Sequence, residues 1–321
     1  MTLGIIDVGT NSIHLLVGIL GLGGKFHVLL KERDLTRLGE GGLAKGRLTK
    51  RAMRRALDVL GRYAATLRRF DVDHVEAVAT SAVRGAVNGR SFVRRVRERL
   101  KLPLRVISGR EEARLIYLGV VQARGFTAST LVISIGGGSA QVMVGGGARL
   151  RYGVSRPLGC ARLAEQFIRH DPPKPEAVRV LEQAAQRAWR PVGRAVRRYR
   201  WRHAVGSSAT TEQLVAAANL LANGRAAKRK PRLSISRQSL RRLVRWLAES
   251  TAAERMRLPG LDPRREDLAL PTGVVLLTWM EACNVSRLQY APGSLREGLV
   301  LDYLIRHHRH HAARLVAVGA S

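Results

Sequence analysis

Two short stretches constrain the fold of this chain more than any others. The first is Met1–Leu20. Apolar runs Leu3-Gly4-Ile5-Ile6 and Ile13-His14-Leu15-Leu16-Val17 flank a polar turn, Asp7-Val8-Gly9-Thr10-Asn11-Ser12. β-rich runs on either side of Gly and Asn predict a hairpin. The second runs Leu131-Val132-Ile133-Ser134-Ile135, Gly136-Gly137-Gly138-Ser139, Ala140-Gln141-Val142-Met143-Val144. It is again strand, glycine turn, strand. A glycine lets the backbone approach a ligand closely. N–H and O–H donors at such a tip hold phosphate oxygens, and Asp7 offers oxygen to a hard cation. The plain alternative is an ordinary hairpin whose polar residues satisfy their own backbone. Two glycine hairpins, each opening one half of the chain, predict a two-lobed protein that grips phosphates between two loops.

Composition fits that picture. A length of 321 residues allows two domains with cores, and 45% apolar residues mark a globular chain. Lys and Arg number 56 against 24 Asp and Glu, a net charge of +32. This exceeds what solubility needs and concentrates polyanions near the surface, whether nucleic acid, inorganic polyphosphate or nucleotides. Much of it is read as solvated faces of an arginine-biased chain. Cys160 and Cys283 are far apart with no CxxC, so neither a disulfide framework nor a zinc site is indicated. No stretch reaches the ~18 apolar residues of a spanning helix. The N-terminus lacks the basic flank of a signal peptide. A cytoplasmic, non-membrane protein is expected.

After a third strand at Phe26–Lys31, an amphipathic helix is predicted from Lys50 to Arg69, with Met53, Leu57, Leu60, Ala64 and Leu67 on one face. A buried strand, Val75–Ala79, empties into Thr80-Ser81-Ala82-Val83-Arg84. Strand ends are where α/β folds place ligand contacts, and an Arg there can grip a phosphate. A helix at Ser91–Leu100 and a strand at Leu104–Ile107 follow. Ser108 is then an N-cap, with Glu111 three residues on. Both Glu111 and Glu112 suit a helix start, so capping alone would explain them. The functional reading is that one caps while its neighbour, turned ~100° around the axis, points into a cleft as general base.

In the second half, a helix from Pro175 to about Arg200 carries seven arginines from Arg179 onward, interleaved with Trp189 and Tyr199. That offers a nucleic-acid face, against which a Trp at helical spacing reads as core. Gly206-Ser207-Ser208-Ala209-Thr210-Thr211 is a third polar loop at a helix start, suited to phosphate. Arg225–Arg232 is read as a basic linker. His307, His308, His310 and His311 form a His-rich tail whose spacing does not suit a metal.

The ordered set of loops resembles the exopolyphosphatase/guanosine pentaphosphate phosphohydrolase (Ppx/GppA) family of the actin–hexokinase-like superfamily. Its carriers are Ile6–Leu15, Arg37–Gly41, Ala79–Arg84, Ile107–Tyr117, Ile135–Ser139, Gly206–Thr210 and Gly293-Ser294-Leu295-Arg296-Glu297-Gly298. The resemblance implies an α/β, two-lobed actin-like (ribonuclease H-like) ATPase fold, a mixed sheet flanked by helices in each lobe and a cleft between. The expected division is 1–124, 125–303 and a basic His/Arg-rich tail, 304–321. It implies release of orthophosphate from the end of inorganic polyphosphate, or of the γ-phosphate of guanosine pentaphosphate. Glu112 is implied as the catalytic base that orients water, with Glu111 beside it as the second catalytic-site acid. Asp7, Gly9, Thr10, Asn11 and Ser12, then Gly136, Gly137, Gly138 and Ser139, with Arg84, Ser207 and Ser208, are implied as phosphate contacts. Mg²⁺ or Mn²⁺ is the implied cofactor and a homodimer the implied assembly.

The chain departs from the family pattern twice. Where the family has Asp and Glu around the second glycine turn, it carries Ser134 and Gln141. Asp7 and Glu112 remain as cation ligands, with Ser134 and Gln141 as neutral oxygens, and hard cations favour carboxylates. The leading expectation is therefore a cation-assisted phosphoanhydride hydrolase. Its rivals are an inactive relative that senses polyphosphate or a guanosine alarmone, and an arginine-helix nucleic-acid binder.

Overall fold

Both glycine turns are hairpin tips in the computed structural model, which describes residues 1–21, 25–223 and 234–307. Strand β1 (Thr2–Val8) pairs antiparallel with β2 (Ile13–Leu20), and β2 with β3 (Phe26–Asp34). Parallel to β1 run β4 (His74–Ala79) and then β5 (Leu104–Val106), giving the sheet order β3-β2-β1-β4-β5. Leu3, Ile5, Ile6 and Val8 are all buried, as expected of a central strand covered on both faces.

The second sheet repeats the plan. β6 (Thr130–Ile135), β7 (Ala140–Gly146) and β8 (Arg149–Arg156) form an antiparallel meander. β9 (His203–Ser207) lies parallel to β6, and β11 (Arg287–Tyr290) parallel to β9. A short edge strand, β10 (Ser234–Ser236), completes the order β10-β11-β9-β6-β7-β8. Read from β8 to β11, this is the order of the first sheet. Each mixed sheet is flanked by helices, and the repeated order is that of an actin-like fold. Asp7 and Ser134 take equivalent places in the two sheets, each two residues before the first glycine of its turn.

Helix α1 (Lys50–Arg69) starts where Thr49 accepts a bond from the Ala52 N–H at 3.2 Å. It buries Met53, Ala56, Leu60, Ala64 and Leu67 and leaves its arginines largely outward. The Thr80–Arg84 stretch at the end of β4 is a one-turn helix, α2 (Ser81–Arg84), leading into α3 (Gly89–Leu100). Helix α4 (Gly109–Arg124) begins at the expected Ser108 cap, which accepts from the Glu111 N–H at 3.1 Å. In the second sheet's layers lie α5 (Cys160–Phe167), α6 (Pro175–Val196), α7 (Ala209–Asn223), α8 (Arg237–Glu249), α9 (Ala252–Arg257) and α10 (Glu266–Ala282). Trp189 on α6 is fully buried and donates its indole N–H to the Val275 carbonyl at 3.0 Å. It is core, so it offers no stacking face to nucleic acid. The Arg225–Arg232 run, and His308, His310 and His311, lie outside the described residues.

The chain divides into Met1–Thr127 with the stretch from Gly293 onward, and Ala128–Pro292. This corrects the expected boundaries, which gave residues up to 303 to the second half. The closing helix, α11 (Leu295–His307), packs on α4 of the first unit. Its Gly298 allows the approach: a Cβ there would lie 1.9 Å from the Leu115 carbonyl oxygen. No described helix is long and apolar enough to cross a membrane.

Candidate active site

In the first unit, the β1–β2 turn closes with the Gly9 N–H donating to the Ser12 carbonyl at 3.0 Å. The Gly9 N–H is therefore engaged within the turn, and the residue's contribution is conformational. The Thr10 and Asn11 carbonyls accept from the Gly39 and Arg37 N–H groups at 2.9 and 2.8 Å, which fixes the tip against the following loop. Thr10 and Ser12 are buried.

Asp7 stands at the base of this turn. Burial pushes its carboxyl up to about 7; Arg296 pulls it down, while Glu112 and Glu297 push it up further. Asp7 and Glu112 are thus electrostatic neighbours. Glu112 is buried, on the first turn of α4. Its carboxyl is raised by burial and pulled back by Arg84, whose Nη1 lies 2.9 Å from Oε2. That oxygen nevertheless accepts no well-directed hydrogen bond, and Nη1 donates one of its two hydrogens to the Ile107 carbonyl at 3.0 Å. Distance makes the contact an ion pair; direction does not make it a hydrogen bond.

Glu111 goes elsewhere. Its Oε1 is 2.6 Å from Arg105 Nη1, and it is not among the charges acting on Asp7. Arg296 and Glu297 stand in its place. They belong to the quoted Gly293–Gly298 motif but were not assigned a role. Ser294 donates to Glu297 Oε2 at 2.5 Å. Burial alone would raise Glu297, yet Arg296 and this bond outweigh it and leave the carboxyl below its usual range. The signal in the sequence was a charged pair at a helix start, far along the chain from Asp7.

In the second unit the β6–β7 turn repeats the closure, the Gly136 N–H donating to the Ser139 carbonyl at 2.9 Å. The start of α5 clasps this turn. Cys160 N–H donates to Gly136, Arg162 N–H to Gly137, and Arg162 Nε to Gly138, each carbonyl accepting at 2.9–3.0 Å. Arg162 is a second residue that the sequence reading missed. Ser155, Gln141, Ser134 and Ser207 lie in register across four neighbouring strands. The Gln141 amide donates to Ser139 Oγ at 2.8 Å and Ser155 Oγ at 3.2 Å. Ser208 caps α7, its Oγ accepting from the Thr211 N–H at 3.3 Å, and has φ +117°. A serine held in that region is strained, as residues at functional sites often are.

A divalent cation fits the first unit in part. Asp7 and Glu112 supply two carboxylates, and Glu112 Oε2 is a buried oxygen with an unused lone pair. Mg²⁺ commonly takes one or two carboxylates, the rest being waters and substrate phosphates. In the second unit the Gln141 amide is committed as a donor, so only the Ser134 hydroxyl and the Gln141 carbonyl face the expected role. Among the described residues no cluster of three or more His, Cys, Asp or Glu suits a metal.

Comparison with known proteins identifies the family. The family model for the Ppx/GppA phosphatase family matches residues 21–307. An exopolyphosphatase from Cytophaga hutchinsonii has a solved structure 29% identical to this chain, with a TM-score of 0.83, covering 95% of this chain and 97% of that one. The Ppx/GppA family member of Aquifex aeolicus is 26% identical, with a TM-score of 0.76, covering 96% and 99%. A curated protein of Haemophilus influenzae is 29% identical over 297 residues, 92% of this chain and 89% of that protein. With so much of its length matched, this chain belongs to the Ppx/GppA phosphatase family.

Proposed function

We propose that the chain is an exopolyphosphatase-type hydrolase that releases orthophosphate from the end of inorganic polyphosphate, with guanosine pentaphosphate as the second candidate substrate. The observation that carries this reading is Glu112: a buried carboxyl pushed upward, held near Arg84 by charge, with one oxygen not engaged by a hydrogen bond. A base whose pKa approaches the working pH transfers protons most effectively.

Water hydrogen-bonded to Glu112 attacks the terminal phosphorus. The water proton passes to the Glu112 carboxylate as the new P–O bond forms. The bond to the bridging oxygen breaks, and its electron pair leaves with the shortened chain. Arg84 neutralises charge on the equatorial oxygens, the main demand of phosphoryl transfer. Thr10, Asn11 and Ser12 contact phosphate in the first unit; Gly137, Gly138, Ser139, Ser207 and Ser208 contribute N–H and O–H donors of the same kind in the second. Mg²⁺, held by Asp7 and Glu112, would supply further charge neutralisation. The high positive charge favours polyphosphate over a nucleotide.

An orthophosphate-release assay on polyphosphate and guanosine pentaphosphate, with and without Mg²⁺, tests this. Activity abolished by Glu112→Gln supports it; no release from either substrate sinks it. One observation favours the second reading, a sensor that binds without turnover: the uncharged row Ser155-Gln141-Ser134-Ser207. If Ser134→Asp with Gln141→Glu creates activity where the native chain has none, the sensor is correct.

A further inference from the structure

The first unit carries a set of charges that the site above does not use. A cavity of about 590 Å³ is lined by Lys45, Arg47, Lys50, Arg54, Arg95 and Arg99. The first two come from the loop before α1, the next two from α1, and the last two from α3. No acidic side chain lines it, and among the described residues none of the six has an ion pair. Like charges around one space repel, and an anion placed there relieves all six at once.

The walls are built rather than incidental. Asn88 clamps the loop at Leu48, its Oδ1 accepting from the Leu48 N–H and its Nδ2 donating to the Leu48 carbonyl, both at 2.9 Å. The Val87 N–H donates to the Gly46 carbonyl at 2.9 Å. Both walls also lead back to the candidate active site. The loop that carries Lys45 and Arg47 is the one whose Arg37 and Gly39 hold Asn11 and Thr10. Asn88 follows Arg84 by four residues.

We propose that this groove is an anchoring site for a linear inorganic polyphosphate chain, separate from the Asp7–Glu112 site and adjoining it. The lining contains no Phe, Tyr, Trp or His, so it has no platform on which a nucleobase could stack. That favours a bare phosphate chain over RNA or a nucleotide. The groove rests on the hydrolase reading for its kinetic consequence: a long chain is retained between cleavage events while a short one engages only the active site.

The test is a combined variant, Lys45→Gln, Lys50→Gln, Arg54→Gln and Arg95→Gln, all exposed positions outside the candidate machinery. Long-chain polyphosphate should bind the variant about tenfold or more weakly, the sum of four exposed charge contacts. KM for the long chain should rise by a similar factor, while kcat and KM for tripolyphosphate stay within about twofold. Unchanged long-chain binding, or displacement of polyphosphate by single-stranded RNA as readily as by polyphosphate itself, overturns the proposal. Loss of long-chain binding in a protein that hydrolyses nothing leaves the groove standing and removes the hydrolase reading. Unchanged KM values in an active enzyme do the reverse.

Discussion

Arg84 Nη1 lies 2.9 Å from Glu112 Oε2 without a hydrogen bond directed at it, and donates a hydrogen to the carbonyl of Ile107. The guanidinium therefore steadies the carboxylate by charge and leaves its lone pair for another donor. Glu112→Gln should lower orthophosphate release by about 10²–10⁴-fold, the usual worth of a general base. Arg84→Gln should act differently. It removes the attraction that holds the Glu112 carboxyl down, so the acidic limb of the kcat profile should move to higher pH. A limb that stays in place would separate Arg84 from the base.

Asp7 predicts a pH effect on stability. Its carboxyl ionises near 3.8 when free and at about 7 in the folded chain. Between those values the folded protein holds a proton that the unfolded chain has released, so this group makes stability fall as pH rises. Asp7→Asn should accordingly be more heat-stable than the native protein at pH 8, with the advantage shrinking toward pH 4. Thermal melts across that range measure it; a difference independent of pH would contradict the shift. Added Mg²⁺ should raise the native Tm at pH 8 more than that of Asp7→Asn, since a ligand stabilises the state it binds.

Two glycines should respond oppositely to alanine. Gly298→Ala puts a Cβ 1.9 Å from the Leu115 carbonyl oxygen, a backbone atom that cannot swing aside. Overpacking of this kind costs about 1–3 kcal/mol or more and should also disturb Arg296 and Glu297. Gly61→Ala, within α1, meets only Leu100 Cδ2 at 3.8 Å and should gain about 0.5–1 kcal/mol from helix propensity. Chemical denaturation of both variants reads the two signs.

Arg162 positions the second turn through its side-chain bond to the Gly138 carbonyl at 3.0 Å. Arg162→Ala should raise KM for polyphosphate several-fold, as one lost hydrogen bond of about 1 kcal/mol implies, with kcat changed less. Partial recovery in Arg162→Lys would tie the effect to that bond, whereas an equal fall in kcat alone would argue against it.

What could be read beforehand depended on how local its cause was. The periodic apolar face alone predicts α1 over Lys50–Arg69, and Ser108 the start of α4; the Thr49 cap is a finding of the structure. β10, three residues long, is too short to show a period. The Thr251–Glu254 capping box of α9 was present in the sequence but led into no apolar run. Capping and helix geometry could not tell Glu111 from Glu112, and only the family resemblance singled out Glu112, because Arg105 and Arg84 choose between them across the fold. Arg296 was missed for the same reason: its place beside Asp7 comes from packing between helices distant in the chain.

The return of α11 to the first unit makes residues 128–292 an insertion within another folded body. During synthesis the inserted body emerges in full before α11, the helix its host still needs. Until α11 has been made, β1 and α4 wait without the partner that brings Arg296 and Glu297, so the acid cluster assembles only after the inserted body has been synthesised.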